Sequence, residues 1–494
     1  MTVLSSPPRP RSGGPPEDAP ADLDEARRAF FGLEHEHGLF GRYLGGCRAW
    51  DYLRVEVFDA LVGALQLRAD KQAPQDRSAR AYLPAWRSVA HSVLRRNPFA
   101  ARPTELLFIG HSRRRREDDG RYWDPYSDPA IEALASDALL LERPHHHRHL
   151  QPTRTRRIAH LDGLALLANG VSAWRGAPLG ADDSAVIARI EEAIADTFGV
   201  RVPVGSMARA KLAVRAGQLP CWRTLLRRLR PRLVFVVVSY GNEIPIEACR
   251  SLGIPTVELQ HGLIGPQNLG YHFPLPDCRK ELFCDWLLTF GDYWRTAARF
   301  PIPAERVLAV GYPYLDTRRR AAGPRRASAR RALFLSQPSI GAPLSRLAVD
   351  LANDPRLGGA EVVYKLHPGE IQSWCEDYPW LREAPVRVID RDRPHLYELF
   401  AEASLQIGAY STALFEGLAF GLQTRVVRLP GSEQLQGMVD AAPQAEFADD
   451  ADDLMAALEL ASSLDPADAS QFFSPGAAEQ LQRAVAHILD VEGR

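Results

Sequence analysis

The chain has 494 residues, a formal net charge of -1, 46% hydrophobic residues and 24% charged residues. This length exceeds what one ordinary hydrophobic core supports, so we expect two domains. The near-neutral charge excludes a broad cationic face, and we therefore expect no nucleic-acid partner. The 6 cysteines show no paired spacing, which favours a reducing compartment.

The first residues differ in composition from the rest of the chain. Residues 1–21 are rich in Pro, Gly and Ser and have no apolar core, which predicts a disordered tail rather than a signal peptide. No apolar run approaches the roughly 20 residues that a membrane-spanning helix needs. We therefore predict a cytoplasmic protein, and a peripheral contact with the inner face of the membrane stays open.

The segment 22–317 begins with helices and continues with alternating strands and helices. Apolar residues at three-and-four spacing predict helices over Asp22–Leu33 and Trp50–Leu67. Glu105–Gly110 and Arg232–Ser239 are short apolar runs of the kind found in buried parallel strands. We predict a Rossmann-like domain over 22–317, with a helical N-terminal extension.

A second run of strand–helix units follows an aperiodic stretch. Residues 318–331 are rich in Arg, Ala and Gly and predict a linker. Beyond it, strands such as Glu361–Lys365 and Leu405–Gly408 alternate with helices, so 332–494 predicts a second, smaller Rossmann-like domain. The predicted fold class is α/β, with two Rossmann-like domains that face each other across a cleft.

Polar residues follow several strands of the second predicted domain, where an α/β sheet binds phosphate-bearing ligands. Lys365 precedes His367 by two residues, so the two side chains face the same side. Glu416 lies one helical turn after Thr412. Ser411 could instead be a helix N-cap and His367 a turn residue. The candidate nucleotide-binding residues are Gln337, Pro338, Lys365, His367, Ser411, Thr412 and Glu416.

The first predicted domain offers candidates for catalysis. His261 precedes Gly262 at the end of a predicted strand and could contact a leaving phosphate, or be a buried structural histidine. A buried carboxylate with a raised pKa is suited to act as a general base. Asp119, Asp124 and Glu243 all qualify, and the residues alone do not rank them.

Three loops together carry a resemblance to a known family. The segments LSQP (Leu335–Pro338), KLHP (Lys365–Pro368) and GAYSTALFE (Gly408–Glu416) resemble GT-B glycosyltransferases that use CMP-activated acidic sugars, namely bacterial sialyltransferases and Kdo transferases of capsule and lipopolysaccharide synthesis. The resemblance covers mainly 232–439. It implies a CMP-sugar donor substrate, a glycan or glycolipid acceptor and no further cofactor, with 22–317 as the acceptor domain and 332–494 as the nucleotide-sugar donor domain. Glu117–Gly120 is similar to the acidic motif of these sialyltransferases, which implies that Asp119 is the base.

Two other functions stay open. The resemblance also extends to CDP-glycerol or CDP-ribitol phosphotransferases of the teichoic-acid type, although the segment Tyr410–Thr412 and Glu416 fit their pattern only loosely. A protein of the same fold without catalytic activity, serving as a scaffold in glycan assembly, is the third hypothesis.

Other charged runs predict no chemistry. His145–His149 contains four histidines but no acidic or cysteine partners at ligand spacing, so we interpret it as a loop. Arg113–Arg116 is interpreted as a solvated charged loop. Because no DxD motif with an apolar flank occurs, we predict no metal site and a metal-independent mechanism.

Overall fold

A computed structural model describes residues 20, 22–67, 89–145, 148–176, 179–323, 330–391, 393–461 and 468–493. The predicted tail 1–21 lies outside the described residues apart from Pro20 and so does 324–329, the centre of the predicted linker. Contacts divide the chain into two compact units. The smaller unit contains 1–69, 172–216 and 274–280, and the larger contains 70–171, 217–273 and 281–494.

The smaller unit is mainly helical. Its helices Leu23–Glu36 and Trp50–Ala64 flank a hairpin formed by Tyr43–Leu44 and Cys47–Arg48. The first two helices are joined by a buried ion pair, in which Arg54 Nε donates to Glu34 Oε1 at 2.7 Å. A buried charge pair of this kind is strongly destabilised when one partner is removed.

The larger unit contains two parallel sheets, here the first sheet and the second sheet. Among the described residues the first sheet has seven strands, in the spatial order Val307–Ala309, Trp286–Thr289, Thr256–Leu259, Leu233–Val236, Leu106–Ile109, Ala138–Glu142 and Ile158–His160. The second has six, in the order Val386–Ile389, Glu361–Lys365, Arg331–Leu335, Leu405–Gly408, Gln423–Val427 and Ala445–Ala448. Both therefore have the parallel, doubly wound arrangement that the alternation of strands and helices predicts.

Helices connect these strands, and a short hairpin leaves the first sheet. The hairpin pairs Arg115–Arg116 with Tyr122–Trp123. The remaining helices are Ser127–Leu134, Asp162–Arg175, Ala181–Phe198, Val204–Leu229, Glu243–Arg250, Asp292–Thr296, Pro313–Ala322, Gly341–Ala352, Trp374–Asp377, Leu396–Glu402, Thr412–Leu418, Gln436–Ala441, Ala451–Ala461 and Ala477–Glu492. Residues 89–95 are also helical.

The strand order reverses once in each sheet. In the first sheet the reversal lies between Leu106–Ile109 and Leu233–Val236, and in the second between Arg331–Leu335 and Leu405–Gly408. At such a point the loops at the carboxyl ends of the two strands diverge and leave a crevice, which is where ligands bind in open α/β sheets. Ligand-binding residues are therefore expected directly after these strands.

The two sheets share one hydrophobic core. The Trp294 ring lies 4.6 Å from that of Phe415, and both belong to a cluster that contains Leu287 of the first sheet and Leu333 of the second. The C-terminal helix Ala477–Glu492 packs on the first sheet. The α/β, GT-B-like fold class with two Rossmann-like sheets is thus confirmed, whereas the predicted domain boundaries stay a prediction.

Within the described part of the chain, no helix combines the length and apolar character needed to cross a membrane.

Candidate functional site

The carboxyl edges of the two sheets meet at Gly262 and Thr412. A β-carbon built on Gly262 would lie 3.6 Å from Thr412 Oγ1. Gly262 follows the strand Thr256–Leu259, and Thr412 follows Leu405–Gly408. We call the region around this contact the junction. Several side chains there, including Arg113, Arg115 and His367, are exposed to solvent.

Three loops of the second sheet lie side by side at the junction. A β-carbon on Gly369 would stand 3.3 Å from His367 Nδ1 and 3.5 Å from Pro338 Cγ. The hydroxyl groups of Ser339 and Tyr410 share a hydrogen bond. These contacts arise because Arg331–Leu335 is the central one of three adjacent strands. The loops that carry His367 and Ser411 are then separated by about two strand spacings, roughly 10 Å.

Glu370 fixes the conformation of the loop that carries His367. Its buried carboxylate accepts hydrogen bonds from the His367 backbone N–H, the Ser336 hydroxyl and the Tyr378 hydroxyl, each at 2.8 Å. Three donors to one carboxylate leave this loop little freedom. The segment HPGE is therefore held by its own acidic residue, a role that the sequence did not predict.

His367 is an exposed imidazole in a defined tautomer. Its Nδ1 accepts a hydrogen bond of 3.1 Å from the Gly369 backbone N–H, which leaves the proton of the neutral ring on Nε2. Partial burial lowers the pKa of His367, Glu370 opposes this effect, and the positive charge of Arg113 lowers the pKa further. At neutral pH the ring therefore offers an N–H donor.

Gln337 and Lys365 flank this loop. Gln337 Oε1 is buried and has no hydrogen-bond partner among the described residues. Such an atom is costly unless a ligand or water satisfies it, so its placement suits a binding site. Lys365 Nζ donates to the Arg391 carbonyl at 2.6 Å. Its positive charge also reaches His395, whose pKa is lowered to about 3 by burial and by the cations Arg318 and Arg115, then Arg393 and Lys365.

Ser411 caps the helix Thr412–Leu418. Its side chain accepts a hydrogen bond of 3.2 Å from the Ala413 backbone N–H. Ser411 is therefore a helix N-cap, the structural alternative that the sequence left open. Both Ser411 and Thr412 are half-buried, and the Thr412 hydroxyl faces Gly262.

Glu416 lies behind Thr412 in a largely buried position. The Tyr397 hydroxyl donates to Glu416 Oε2 at 2.8 Å, and the residue is 8% exposed. Burial raises the pKa of Glu416, while the charge of Arg115 and the Tyr397 hydrogen bond lower it. The carboxylate is therefore placed between a fixed hydroxyl group and a guanidinium group.

The hairpin of the first sheet brings Arg115 and Arg113 to the junction. The Arg115 guanidinium lies 5.9 Å from the centre of the Tyr314 ring, and its charge acts on Glu416 and Tyr397 of the second sheet. The charge of Arg113 acts on both His111 and His367. The expectation that Arg113–Arg116 is a solvated loop misses this placement.

That expectation is wrong for Arg114. Its guanidinium is buried in the first sheet, with Nη1 3.0 Å from Asp128 Oδ2 and Nε bonded to Glu142. The buried pairs anchor the hairpin, whose first strand residue, Arg115, lies beside Tyr314.

His261 is connected to a buried carboxylate through a tyrosine. The Tyr271 hydroxyl donates to Glu258 and lies 3.3 Å from His261 Nδ1. Because the Tyr271 hydroxyl donates its only proton to Glu258, it acts as an acceptor toward His261. The proton of the neutral His261 ring is therefore on Nδ1, and the lone pair is on Nε2. Burial and the nearby His111 lower the pKa of His261 to about 4, so its ring is neutral at pH 7.

The three candidate bases lie in different surroundings. Asp119 is part-exposed and forms an ion pair of 3.3 Å with Arg154. Asp124 is fully buried, and its carboxylate accepts from the His111 backbone N–H at 2.8 Å and from two further backbone N–H groups. Glu243 begins a helix and accepts from the Gly241 N–H at 3.0 Å. Separate sets of partners thus hold the three carboxylates, and their role as base stays a prediction.

The two neighbours of Asp119 tie the hairpin to other elements. Glu117 accepts a hydrogen bond of 2.7 Å from the Tyr314 hydroxyl and pairs with Arg318. Asp118 pairs with Arg393 of the second sheet's domain. The acidic segment therefore pairs with two of the cations near His395, Arg318 and Arg393.

A separate histidine cluster lies beside the first sheet. His149 Nδ1 lies 2.7 Å from Glu142 and His149 Nε2 lies 2.8 Å from Asp162, which raises the pKa of His149 to about 9. Its ring stacks on His160 at 3.5 Å. Interpreting 145–149 as a loop misses this role of His149, while His146 and His147 lie outside the described residues.

Atoms of Glu142, His149 and His160 lie within 4.8 Å of one another, a spacing at which a metal ion could bind. Both nitrogens of His149 are already bonded to carboxylates, however, and the two rings are parallel within 4°. Lone pairs in parallel ring planes do not converge on one ion. We therefore interpret the cluster as a buried imidazolium held by two carboxylates.

No family model and no curated protein matches the chain. Solved structures with a similar fold include UDP-GlcNAc 2-epimerase from Neisseria meningitidis bound to UDP-GlcNAc, at 11% identity and a TM-score of 0.45, covering 77% of this chain and 99% of that one.

Two further solved structures are similar to the chain. The wall teichoic acid polymerase TagF matches at 11% identity and a TM-score of 0.40, over 84% of this chain and 100% of its own. The Anabaena protein HepE in complex with UDP and glucose matches at 14% identity and a TM-score of 0.39, over 78% and 99%. At these identities and TM-scores, none of the likenesses assigns an activity to this chain.

Proposed function

We propose that the protein is a glycosyltransferase that uses a CMP-activated acidic sugar as donor and a glycan or glycolipid as acceptor. The observation that carries this proposal is the gathering of Arg113, Arg115 and Lys365 with neutral imidazoles at the carboxyl edges of the sheets. A nucleotide-sugar donor develops negative charge on its phosphate as the glycosidic bond breaks, and such cations stabilise that charge.

Two arginines suit a donor with two anionic groups. A CMP-linked acidic sugar carries a phosphate and a carboxylate. Arg113 acts on His367, whose Nε2–H is available as a donor, and this pair is suited to the phosphate. Arg115 lies two residues further along, beside Tyr314, where its charge acts on Glu416, and it is suited to the sugar carboxylate. The unpartnered Gln337 Oε1 can accept a hydrogen bond from the nucleotide.

His261 is the candidate base in this proposal. The hydrogen bonds that link Glu258, Tyr271 and His261 keep the proton of the His261 ring on Nδ1. Nε2 can then accept the proton of the acceptor hydroxyl. The acceptor oxygen then bonds to the anomeric carbon, and the bond from that carbon to the phosphate oxygen breaks. The products are the glycoside, CMP and a protonated His261, which returns its proton to solvent.

A thermal-shift panel of CMP, CDP, UDP and GDP tests the donor class. We expect CMP to raise the melting temperature most, because a ligand that binds only the folded state stabilises it by mass action. Arg115→Ala should weaken CMP-sugar binding by about 10- to 100-fold, the loss of one charged hydrogen bond. Arg116→Ala is the matched control, since Arg116 is the exposed neighbour in the same hairpin strand.

Other results would favour the other hypotheses. Stabilisation by CDP together with hydrolysis of CDP-glycerol would support the phosphotransferase of the teichoic-acid type. If no nucleotide binds, or if His367→Ala restores glycan synthesis in a knockout strain as well as the wild type does, the scaffold hypothesis becomes the better one.

A further inference from the structure

Four exposed apolar side chains form a patch at the free edge of the first sheet. Among the described residues eight large hydrophobic side chains are exposed, and four of them are Val93 (38% exposed), Leu94 (81%), Leu166 (46%) and Leu167 (57%). We call these four the Leu94 patch. Single exposed apolar residues are common on protein surfaces, whereas a cluster marks an interaction site.

The patch is continuous because two helices lie together. A β-carbon on Gly163 would stand 3.3 Å from Val93 Cγ2, so the helical residues 89–95 contact the start of the helix Asp162–Arg175. Leu166 and Leu167 follow Gly163 by three and four residues and therefore lie on the same face, one turn on. The buried Ser92 hydroxyl forms a hydrogen bond of 3.0 Å with His160 Nδ1. This bond fixes the orientation of the helical residues 89–95, so that Val93 and Leu94 lie on the outer face.

The outer face of these helices carries no acidic residue. Residues 163–171 contain no charged side chain, although 165–167, 169 and 170 are exposed. Residues 89–104 contain Arg95, Arg96 and Arg102 and no Asp or Glu. Arg96 Nη1 donates to the Arg156 carbonyl at 3.3 Å, which brings a further exposed arginine next to the patch. An ordinary surface helix would be polar on this side.

We propose that the Leu94 patch docks the protein on a bilayer that contains anionic phospholipids. Apolar side chains that project from helices enter the boundary between headgroups and acyl chains, and flanking arginines bind the anionic headgroups. A second copy of the chain fits less well, because a two-fold contact would place Arg95, Arg96 and Arg156 of both copies against one another. The four side chains are also few beside the 20–30 residues that a stable protein interface uses on each side.

Vesicle sedimentation of the full chain tests this proposal. We expect binding to vesicles of phosphatidylcholine and phosphatidylglycerol in equal parts, weaker binding to phosphatidylcholine alone, and weakening by salt. Leu94→Asp and Leu167→Asp should each lower the vesicle partition coefficient at least about tenfold, the loss of one buried leucine. Leu460→Asp is the matched control, because Leu460 is 55% exposed on a helix outside the patch.

Unchanged melting temperatures of the variants would show that the substitutions act at the surface. Equal vesicle binding by Leu94→Asp and Leu460→Asp, or no binding by the wild type, would overturn the proposal. A dimer that Leu94→Asp converts to a monomer would assign the patch to a second copy instead. Nucleotide binding by the patch variants should stay unchanged, so this result is separate from the test of the proposed transferase activity.

Discussion

Thr412 of the second sheet lies directly against Gly262 of the first, since a β-carbon at residue 262 would stand 3.6 Å from Thr412 Oγ1. That distance is an ordinary van der Waals contact. The absence of a side chain at Gly262 therefore does not serve packing, and it leaves backbone and hydroxyl accessible at the same point. This is the arrangement that a ligand between the two sheet edges needs.

Substituting Gly262 should separate binding from stability. Gly262→Ala is expected to fold with a free energy of unfolding within about 1 kcal/mol of the wild type, but to weaken nucleotide binding. Gly291→Ala should destabilise by about 1–3 kcal/mol, because its β-carbon would stand 2.6 Å from the Phe472 carbonyl carbon. Urea unfolding measures the stability of the two variants, and nucleotide titration measures their binding. Equal destabilisation by the two variants would contradict the assignment of Gly262 to the ligand.

The hydrogen bond from Tyr397 to the buried Glu416 should stabilise the folded protein. Tyr397→Phe removes the 2.8 Å hydrogen bond to Glu416 Oε2 and should cost about 1–3 kcal/mol. Since this bond lowers the pKa of Glu416, the loss should grow as pH rises and the carboxylate ionises. Tyr410→Phe, which removes an exposed bond to Ser339, is the control and should cost less. Urea unfolding at pH 5 and pH 8 would decide; a pH-independent loss would refute the link to Glu416.

His149 should make folding stability fall in alkaline solution. Its pKa is raised from 6.5 to about 9 by hydrogen bonds to Asp162 and Glu142. The stabilisation is fully present below pH 6.5 and is lost as pH rises through about 9. The loss should be on the order of 2 kcal/mol after solvent screening is considered. Urea midpoints from pH 6 to 10 measure it, and His149→Gln should show a flatter profile; identical profiles would disprove this role.

Donor binding should be accompanied by proton uptake at His367. Partial burial and the charge of Arg113 lower the pKa of His367, against the opposing effect of Glu370. A bound phosphate nearby would raise that pKa, and affinity should then increase as pH falls from 7.5 to 6. Calorimetry of CMP binding in two buffers of different ionisation enthalpy counts the protons. His367→Gln should take up fewer protons, and an equal count would remove His367 from the phosphate site.

The local pattern of the sequence predicted most of the strands and the loops that follow them. Glu361–Lys365 and Leu405–Gly408 are apolar runs that end in polar residues, and the structure has these bounds unchanged. A buried strand and a helix N-cap depend on neighbours within a few residues, so their signals are local. The edge strands Ile158–His160 and Ala445–Ala448 were not predicted, because three or four residues at a sheet edge carry little periodicity.

By itself the sequence determined where strands end and which polar side chains stand at those ends. Only the tertiary structure decided that Arg115 lies beside Glu416, that Tyr271 connects His261 to Glu258, and that Asp124 is buried under backbone N–H groups. The physical reason is that partners across two sheets depend on strand order and on the side toward which each side chain projects. A run of four arginines contains no local signal that distinguishes a buried ion pair from a residue at the site.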